Sequence, residues 1–473
     1  MNKLKRNLAY QTVYQVLVTI TPLITAPYLA RVLGAEKLGV YSYTLSIVNY
    51  FTLVAMLGLT NYGTRAIAMA KTKKQQDKAF SEIYTIQLAT SVIASIFYFI
   101  VVLLIRQNTT YMLLQSFWLL SCIFDITWYF FGREEFKTTV TRNIIIKILS
   151  IICIFVFVKN ENDISKYIAI MSLSTFISQI YLWAISKKTV SFKLATKKQI
   201  KKHIKPILTL FVPVLAMSVF RIMDKTMLGA LSSEAQSGYY YNADKVVNIP
   251  LGIITGLGTV MLSRVSSLRL ELGDSGTINF VKKYFNYLLC ASIAMGFGIA
   301  AISSDFVPLF FGDGYEQCIE LIQLFSIVIV AKTISDIIRT QYLIPFKKEK
   351  VFVRSVILGC IVNLIANLIF LKVFNMGAKG ATLGTIIAEI TVAVAQLTSI
   401  VRNEKFLPTL LLSLYYIIPG AIMFIAVIAL SKTLSLNLFA KISIEIIVGA
   451  SIYVLLSAPY FYYSNKRGQK HIK

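Results

Sequence analysis

Apolar stretches of about twenty residues alternate with short polar breaks along the whole chain. As a helix rising about 1.5 Å per residue, such a stretch crosses a hydrocarbon layer about 30 Å thick. The breaks define fourteen candidate spans, the first centred near Ile20 and the last near Val448. So many apolar runs cannot all bury one another in a water-soluble core, and a backbone exposed to lipid must satisfy its hydrogen bonds internally. The pattern predicts an all-α polytopic membrane protein with about fourteen transmembrane helices. The first run follows a basic start, MNKLKRNLAY, and continues to Leu33, too long for the core of a cleaved leader, so a retained span is expected.

The polar breaks differ by charge. Lys3, Lys5 and Arg6 open the chain; Arg65, Lys71, Lys73, Lys74 and Lys78 separate spans two and three. Eight lysines, from Lys187 and Lys188 to Lys205, separate spans six and seven, and Lys466, Arg467, Lys470 and Lys473 close the chain. The intervening loops are poor in base: residues 231–237 carry none, and 303–320 carry Asp305, Asp313, Glu316 and Glu320. Basic residues concentrate in cytoplasmic loops, so an even number of spans places both termini in the cytoplasm. The 473 residues carry a net charge of +26, which first suggests nucleic acid, but no soluble face remains to bind it.

The lysine-rich stretch between Ser186 and Pro206 is the longest polar segment and the natural lobe boundary. Val190, Phe192, Leu194, Ile200 and Ile204 interrupt its charge, which leaves two readings: an interfacial helix on an anionic leaflet, or a solvated orientation signal. A repeat supports two lobes. Leu33–Gly34, Gly39, Tyr41, Gly58–Leu59 and Arg65 in the first half answer to Leu228–Gly229, Gly238, Tyr239, Gly256–Leu257 and Arg264 in the second. Repeats of this kind pack as pseudo-symmetric halves with a substrate path between them. The expected division is an N-lobe of six spans over 1–190, a linker over 191–205, a C-lobe of six spans over 206–403, and two further spans with a basic tail over 404–473.

Ionisable residues inside the spans are the candidate site, because charge within a membrane is costly and usually functional. Arg221, Asp224 and Lys225 share one face of span seven, either as a cationic lining for an anion or as a self-neutralising pair. Lys332, Asp336 and Arg339 form a stripe on span ten. Asp125 stands three residues before Trp128 in span four; Glu389, Glu445 and Lys147 are isolated charges, the carboxylates being ion-coupling or charge-pair candidates. Arg31, Arg65 and Arg264 sit at span ends, where interfacial anchoring competes with phosphate recognition. Tyr239, Tyr240 and Tyr241 are expected in the interfacial belt. Five scattered cysteines, with only His203 and His471, support neither disulfides nor a metal centre. No Walker, HExxH or GxSxG motif is present, so no catalytic residues are assigned.

YLARVLGAEKLGVYSY at Tyr28–Tyr43, GLTNYGTRAIA at Gly58–Ala68 and FDITWYFFGREEF at Phe124–Phe136 resemble the polysaccharide, O-antigen-type lipid-linked oligosaccharide flippases. DKTMLG at Asp224–Gly229, LIP at Leu343–Pro345, NLIAN at Asn363–Asn367 and GAKGAT at Gly377–Thr382 extend the likeness over nearly the whole chain. The resemblance implies a fold shared with multidrug-and-toxin exporters (MATE-like) and lipid II flippases. It implies a substrate, an oligosaccharide on polyprenyl diphosphate, moved across a bacterial plasma membrane. It also implies a role beside a glycan polymerase and other surface-polysaccharide assembly proteins, for O-antigen or capsule. No cofactor is expected beyond a coupling ion, H⁺ or Na⁺. The alternatives are an ion-coupled small-molecule exporter on the same fold and a lipid II flippase. The latter is disfavoured because the Arg–Asp pair typical of that group is replaced by Thr25 and Ala26. A third, a membrane enzyme of glycan assembly, lacks its catalytic loops.

Overall fold

The computed structural model is almost entirely helical and describes residues 3–186, 189–404 and 406–470. Lys187, Lys188, His471 and Lys473 lie outside the described residues. Among those described, twelve helical stretches are long and apolar enough to cross a membrane. The sequence predicts fourteen; the first two expected spans fall in the single stretch Ile20–Met69, and the one centred near Ile253 lies outside the twelve, which resume at Arg264. Gly34 (φ 74°) and Gly273 (φ 68°) break the helices Lys3–Met56 and Glu234–Phe311 without an intervening loop. Glycine enters this left-handed region without steric cost, so the chain turns within one residue and each pair of expected spans reads as one run.

The chain divides into two compact units, Met1–Gly238 and Tyr239–Lys473. The first unit contains α1 (Lys3–Met56), α2 (Leu59–Met69), α3 (Lys73–Ile105), α4 (Thr109–Phe124), α5 (Thr127–Gly132), α6 (Phe136–Phe157), α7 (Ile164–Ser186) and α8 (Lys197–Leu231). Helix α8, which follows the basic linker, packs against α1, α2 and α3 and therefore belongs to this unit. The burial pattern suits lipid: α3 exposes Ile93, Ile96, Phe97, Ile100, Leu103 and Leu104 while burying Gln87 and Ser91. Polar groups face neighbouring helices, where hydrogen bonds between helices help hold a membrane bundle. The protein is a multi-pass membrane protein.

Two glycines allow the second half of α1 to cross the chain after α8 at backbone distance. A Cβ on Gly39 would stand 1.7 Å from the Glu234 carbonyl oxygen, and one on Gly238 would stand 1.8 Å from that of Ala35. Each glycine meets the residue four positions before the other, so the marks of the sequence repeat meet reciprocally.

Span four is not the continuous helix expected from the sequence. It stops at Phe124 and restarts at Thr127, because Asp125 is extended (ψ 96°) and its Oδ1 accepts the Thr127 N–H at 2.9 Å. Gln87, fully buried in α3, satisfies the break: its Nε2 donates to the Cys122 and Asp125 carbonyls at 2.6 and 2.8 Å, and its Oε1 accepts the Trp128 Nε1–H at 2.8 Å. Gly63 on α2 lies against the Trp128 indole, where a Cβ would come within 2.6 Å. Asp125 and Trp128 therefore do not share a helical face, and the acid holds the first N–H of the restarted helix.

Only the second part of the linker is helical, Lys197 onward being the start of α8. Residues 190–196 are extended along α3. Ser191 N–H donates to Asp77 Oδ1 (3.4 Å), Lys193 N–H to Ser81 Oγ (3.1 Å) and Ala195 N–H to Thr85 Oγ1 (3.1 Å). Two extended residues advance about 6.6 Å and four helical residues about 6.0 Å, so alternate linker residues match every fourth residue of α3. Phe192 packs edge-on against Tyr84 with ring centroids 5.0 Å apart. A capping box of Thr196 and Gln199 then starts α8.

The second unit contains α9 (Glu234–Phe311) from Tyr239 onward, α10 (Gln317–Ile337), α11 (Glu349–Asn367), α12 (Gly377–Glu404), α13 (Leu407–Ser413), α14 (Ile417–Thr433) and α15 (Leu438–Lys470). Helices α10 and α11 each end in a π-helical turn, Ile338–Leu343 and Leu368–Val373. The last two spans dock on α9 through polar contacts. Asn286 Nδ2 donates to the Tyr416 hydroxyl (3.1 Å), Tyr453 donates to the Cys290 carbonyl (2.8 Å), and Lys441 pairs with Asp305 (2.8 Å). Tyr240 and Tyr241 are buried rather than belted at an interface; the Tyr240 hydroxyl lies 3.1 Å from Thr385 Oγ1. All five cysteines are free.

Candidate functional site

The most developed polar site in the first unit lies where α2, α3 and α8 converge, amid the basic residues of two polar breaks. Glu82 on α3 is buried and accepts from Lys202 Nζ at 2.9 Å through Oε1, and lies 2.8 Å from His203 Nε2 through Oε2. The Tyr62 hydroxyl stands 2.5 Å from His203 Nδ1. An ionised Glu82 accepts Nε2–H, which leaves Nδ1 to accept the tyrosine proton. This chain from α2 through α8 to α3 holds the helix ends together.

Around it lies a cavity of about 800 Å³, lined by Arg65, Lys78, Lys202, Lys205 and His203 among others. A neighbouring recess of about 570 Å³ shares Lys78 and Glu82 and adds Lys73, Lys74 and Lys193. A groove of about 530 Å³ shares Lys205 and Thr209 with the first cavity and runs along α8 past Ile204, Leu208 and Val212. Those three apolar side chains are more than two-fifths exposed. The arrangement joins a cluster of cations to an apolar channel. It suits an amphiphile with an anionic head, the ions giving charge-assisted hydrogen bonds and the groove receiving hydrocarbon.

The other residues singled out from the sequence are distributed over both units. Arg65 lines the cavity. On α8, Arg221 is exposed with no ion-pair partner among the described residues, so the self-neutralising pair with Asp224 is not formed. Asp224 is buried, Lys225 is half-buried, and both are engaged elsewhere. Arg31 is exposed on α1, three residues before the Gly34 break. In the second unit, Arg339 donates to Asp336 at 3.0 Å and lies over the Phe352 ring; Lys332 is half-buried on the same helix. Arg264 makes a loose exposed pair with Glu271 at 3.9 Å. Glu389 is buried on α12.

Glu82, His203 and Tyr62 did not stand out in the sequence, although one signal was present. Ile200, His203, Ile204, Ile207 and Phe211 follow helical spacing, so His203 occupies an inward stripe position within a run of lysines. Ala79, Glu82, Ile83 and Ile86 show the same spacing on α3.

The first unit thus combines long membrane-spanning helices with a cationic site beside an apolar groove. Residues 4–268 match the family described as "Polysaccharide biosynthesis protein", and the chain belongs to that family. It is 25% identical to a protein of Shigella dysenteriae provisionally named an O-antigen transporter, over 80% of this chain and 95% of that one. A protein of Escherichia coli K12 with the same description is 24% identical, over 85% of this chain and 98% of its own length. Among solved structures, the lipid II flippase MurJ in an inward closed conformation matches with a TM-score of 0.74 and 16% identity. That match covers 96% of this chain and 98% of MurJ. An inward-facing multidrug resistance MATE transporter matches with a TM-score of 0.62 and 14% identity, over 85% and 99% of the two chains. These structures show that the fold is the one those transporters share.

Proposed function

We propose that the protein is a flippase that carries an oligosaccharide linked to polyprenyl diphosphate from the inner to the outer leaflet of a bacterial plasma membrane, by alternating access. Its product would feed the polymerase and assembly proteins of O-antigen, capsule or a similar surface glycan. The protein is a transporter rather than an enzyme, and both termini lie in the cytoplasm. The observation that carries this reading is the basic cavity at Arg65, Lys78, Lys202 and Lys205 running into the apolar groove along Ile204, Leu208 and Val212. A diphosphate on a long hydrocarbon tail has that same division of charge and apolar surface, and the inner leaflet is where such a substrate is assembled. The relatives named as O-antigen transporters support the choice of glycan carrier over drug. Arg221, exposed deep in α8, then meets the head group during transit, and a gradient of H⁺ or Na⁺ drives the cycle.

The test is transport in proteoliposomes. A polyprenyl-diphosphate oligosaccharide is placed in one leaflet and its accessibility to an impermeant glycosidase followed with and without ion gradients. Protein-dependent crossing supports the flippase. Absence of crossing for several glycans, with export of a fluorescent cation under the same gradients, overturns it in favour of a drug exporter.

A further inference from the structure

In the second unit, a buried acid near the start of α15 is left without a donor. Glu445 is 1% exposed, and neither carboxyl oxygen accepts a hydrogen bond from any described residue. Its neighbours explain why. Asp305 on α9 lies within hydrogen-bonding reach of the Glu445 carboxyl. Asp305 already holds the Lys441 ammonium at 2.8 Å through Oδ1 and the Ser431 hydroxyl at 2.6 Å through Oδ2. The single hydroxyl hydrogen of Ser431 can serve only one of the two acids at a time, and at 2.6 Å it lies on Asp305. The charged and polar groups facing Glu445 are therefore Asp305 from α9, Ser431 from α14 and Lys441 one turn earlier on α15. One lysine cannot neutralise two carboxylates, and an ionised acid buried without a donor is expensive.

The geometry points to a proton-binding site formed by Glu445 and Asp305, in which one proton resides on Glu445 and is donated to the ionised Asp305. Binding adds one proton to the Glu445 carboxylate and creates the hydrogen bond that the pair lacks. Two carboxylates close together hold one proton for the reason that acidic pairs elsewhere do, since both cannot ionise in so small a space. The ligand is a proton rather than a sodium ion. The site offers few oxygens, and the ammonium on Asp305 repels a second cation. Because Asp305, Ser431 and Glu445 stand on three different helices, the proton fastens the last two spans to α9. As the coupling site of a transporter, the pair rests on the flippase reading; as a proton site it does not.

Infrared difference spectroscopy of the full-length protein in nanodiscs tests it without substrate, between low and high pH in potassium salts. The expected result is a protonated-carboxyl band that titrates in the wild type, is absent in E445Q and survives in E389Q. Lys441→Met, which removes the ammonium from the pair, should move the half-titration point to higher pH. A band that persists in E445Q, no titrating band at all, or an unmoved half-titration point in the Lys441 variant overturns the site. Loss of the band on adding sodium at fixed pH also overturns it, in favour of a metal cation. If E445Q does not fold, the Lys441→Met titration decides alone.

Discussion

Glu82 and His203, 121 residues apart in the chain, meet at 2.8 Å between Oε2 and Nε2 inside a pocket whose lining includes Arg65, Lys78, Lys202 and Lys205. The acid orients the imidazole and one lysine at once, and so fixes the ends of α3 and α8 where basic residues would otherwise repel one another.

Replacing Glu82 with alanine should therefore destabilise the first unit by about 2–4 kcal/mol, because it strands a buried imidazole and frees Lys202. Thermal unfolding in detergent measures this. A variant as stable as the wild type would show that the chain from Tyr62 to Glu82 contributes nothing to packing.

Neutralising the exposed cations of the pocket should act on binding instead. Each basic group near an anionic lipid head contributes about 1 kcal/mol, so Arg65→Ala with Lys205→Ala should weaken affinity for a polyprenyl diphosphate roughly thirtyfold. The thermal midpoint should stay unchanged. Native mass spectrometry of the lipid complex reads the first quantity.

Arg221→Ala should leave the protein inserted and folded while cutting transport about tenfold or more, since a charge-assisted contact is worth about 1.5–3 kcal/mol. The proteoliposome assay decides; undiminished crossing would remove Arg221 from the substrate path.

Removing the amide that spans the broken fourth helix should be costly. Gln87→Leu removes the amide from the Cys122 and Asp125 carbonyls and strands the Trp128 indole N–H, an expected loss of about 2–4 kcal/mol. Tryptophan fluorescence on denaturation follows it directly.

Gly58 and Gly256 occupy matching places in the sequence repeat but should respond oppositely to alanine. Gly58 has φ 70°, so alanine there costs about 1 kcal/mol, whereas Gly256 is helical with open space around a Cβ and should gain about 0.5–1 kcal/mol. Thermal midpoints of the two variants test the asymmetry.

The spans and the alternation of basic and base-poor breaks were legible because hydropathy and charge are written locally, in windows no longer than a helix. Gly39 and Gly238 were legible as marks of a repeat, though not as the place where two backbones meet. The hidden features share one cause. Glu82 and His203 acquire meaning only when α3 and α8 are brought together, and each reads alone as an ordinary charge in a basic stretch. Asp125 misled for a related reason: helical spacing assumes a helix, and the acid is what interrupts it. Glu445 was visible as an isolated charge, but its neighbours on α9 and α14 were not.

Surface connections are ordinarily where a protein accepts insertions and deletions most freely. The segment 190–196 is an exception, because its backbone is keyed to α3 at Asp77, Ser81 and Thr85. One added residue would turn every following amide of the segment to the opposite side and break the match with all later turns of the helix. The part of the chain that looks most disposable by composition has a fixed length, and lysines within it are more freely exchanged than counted residues.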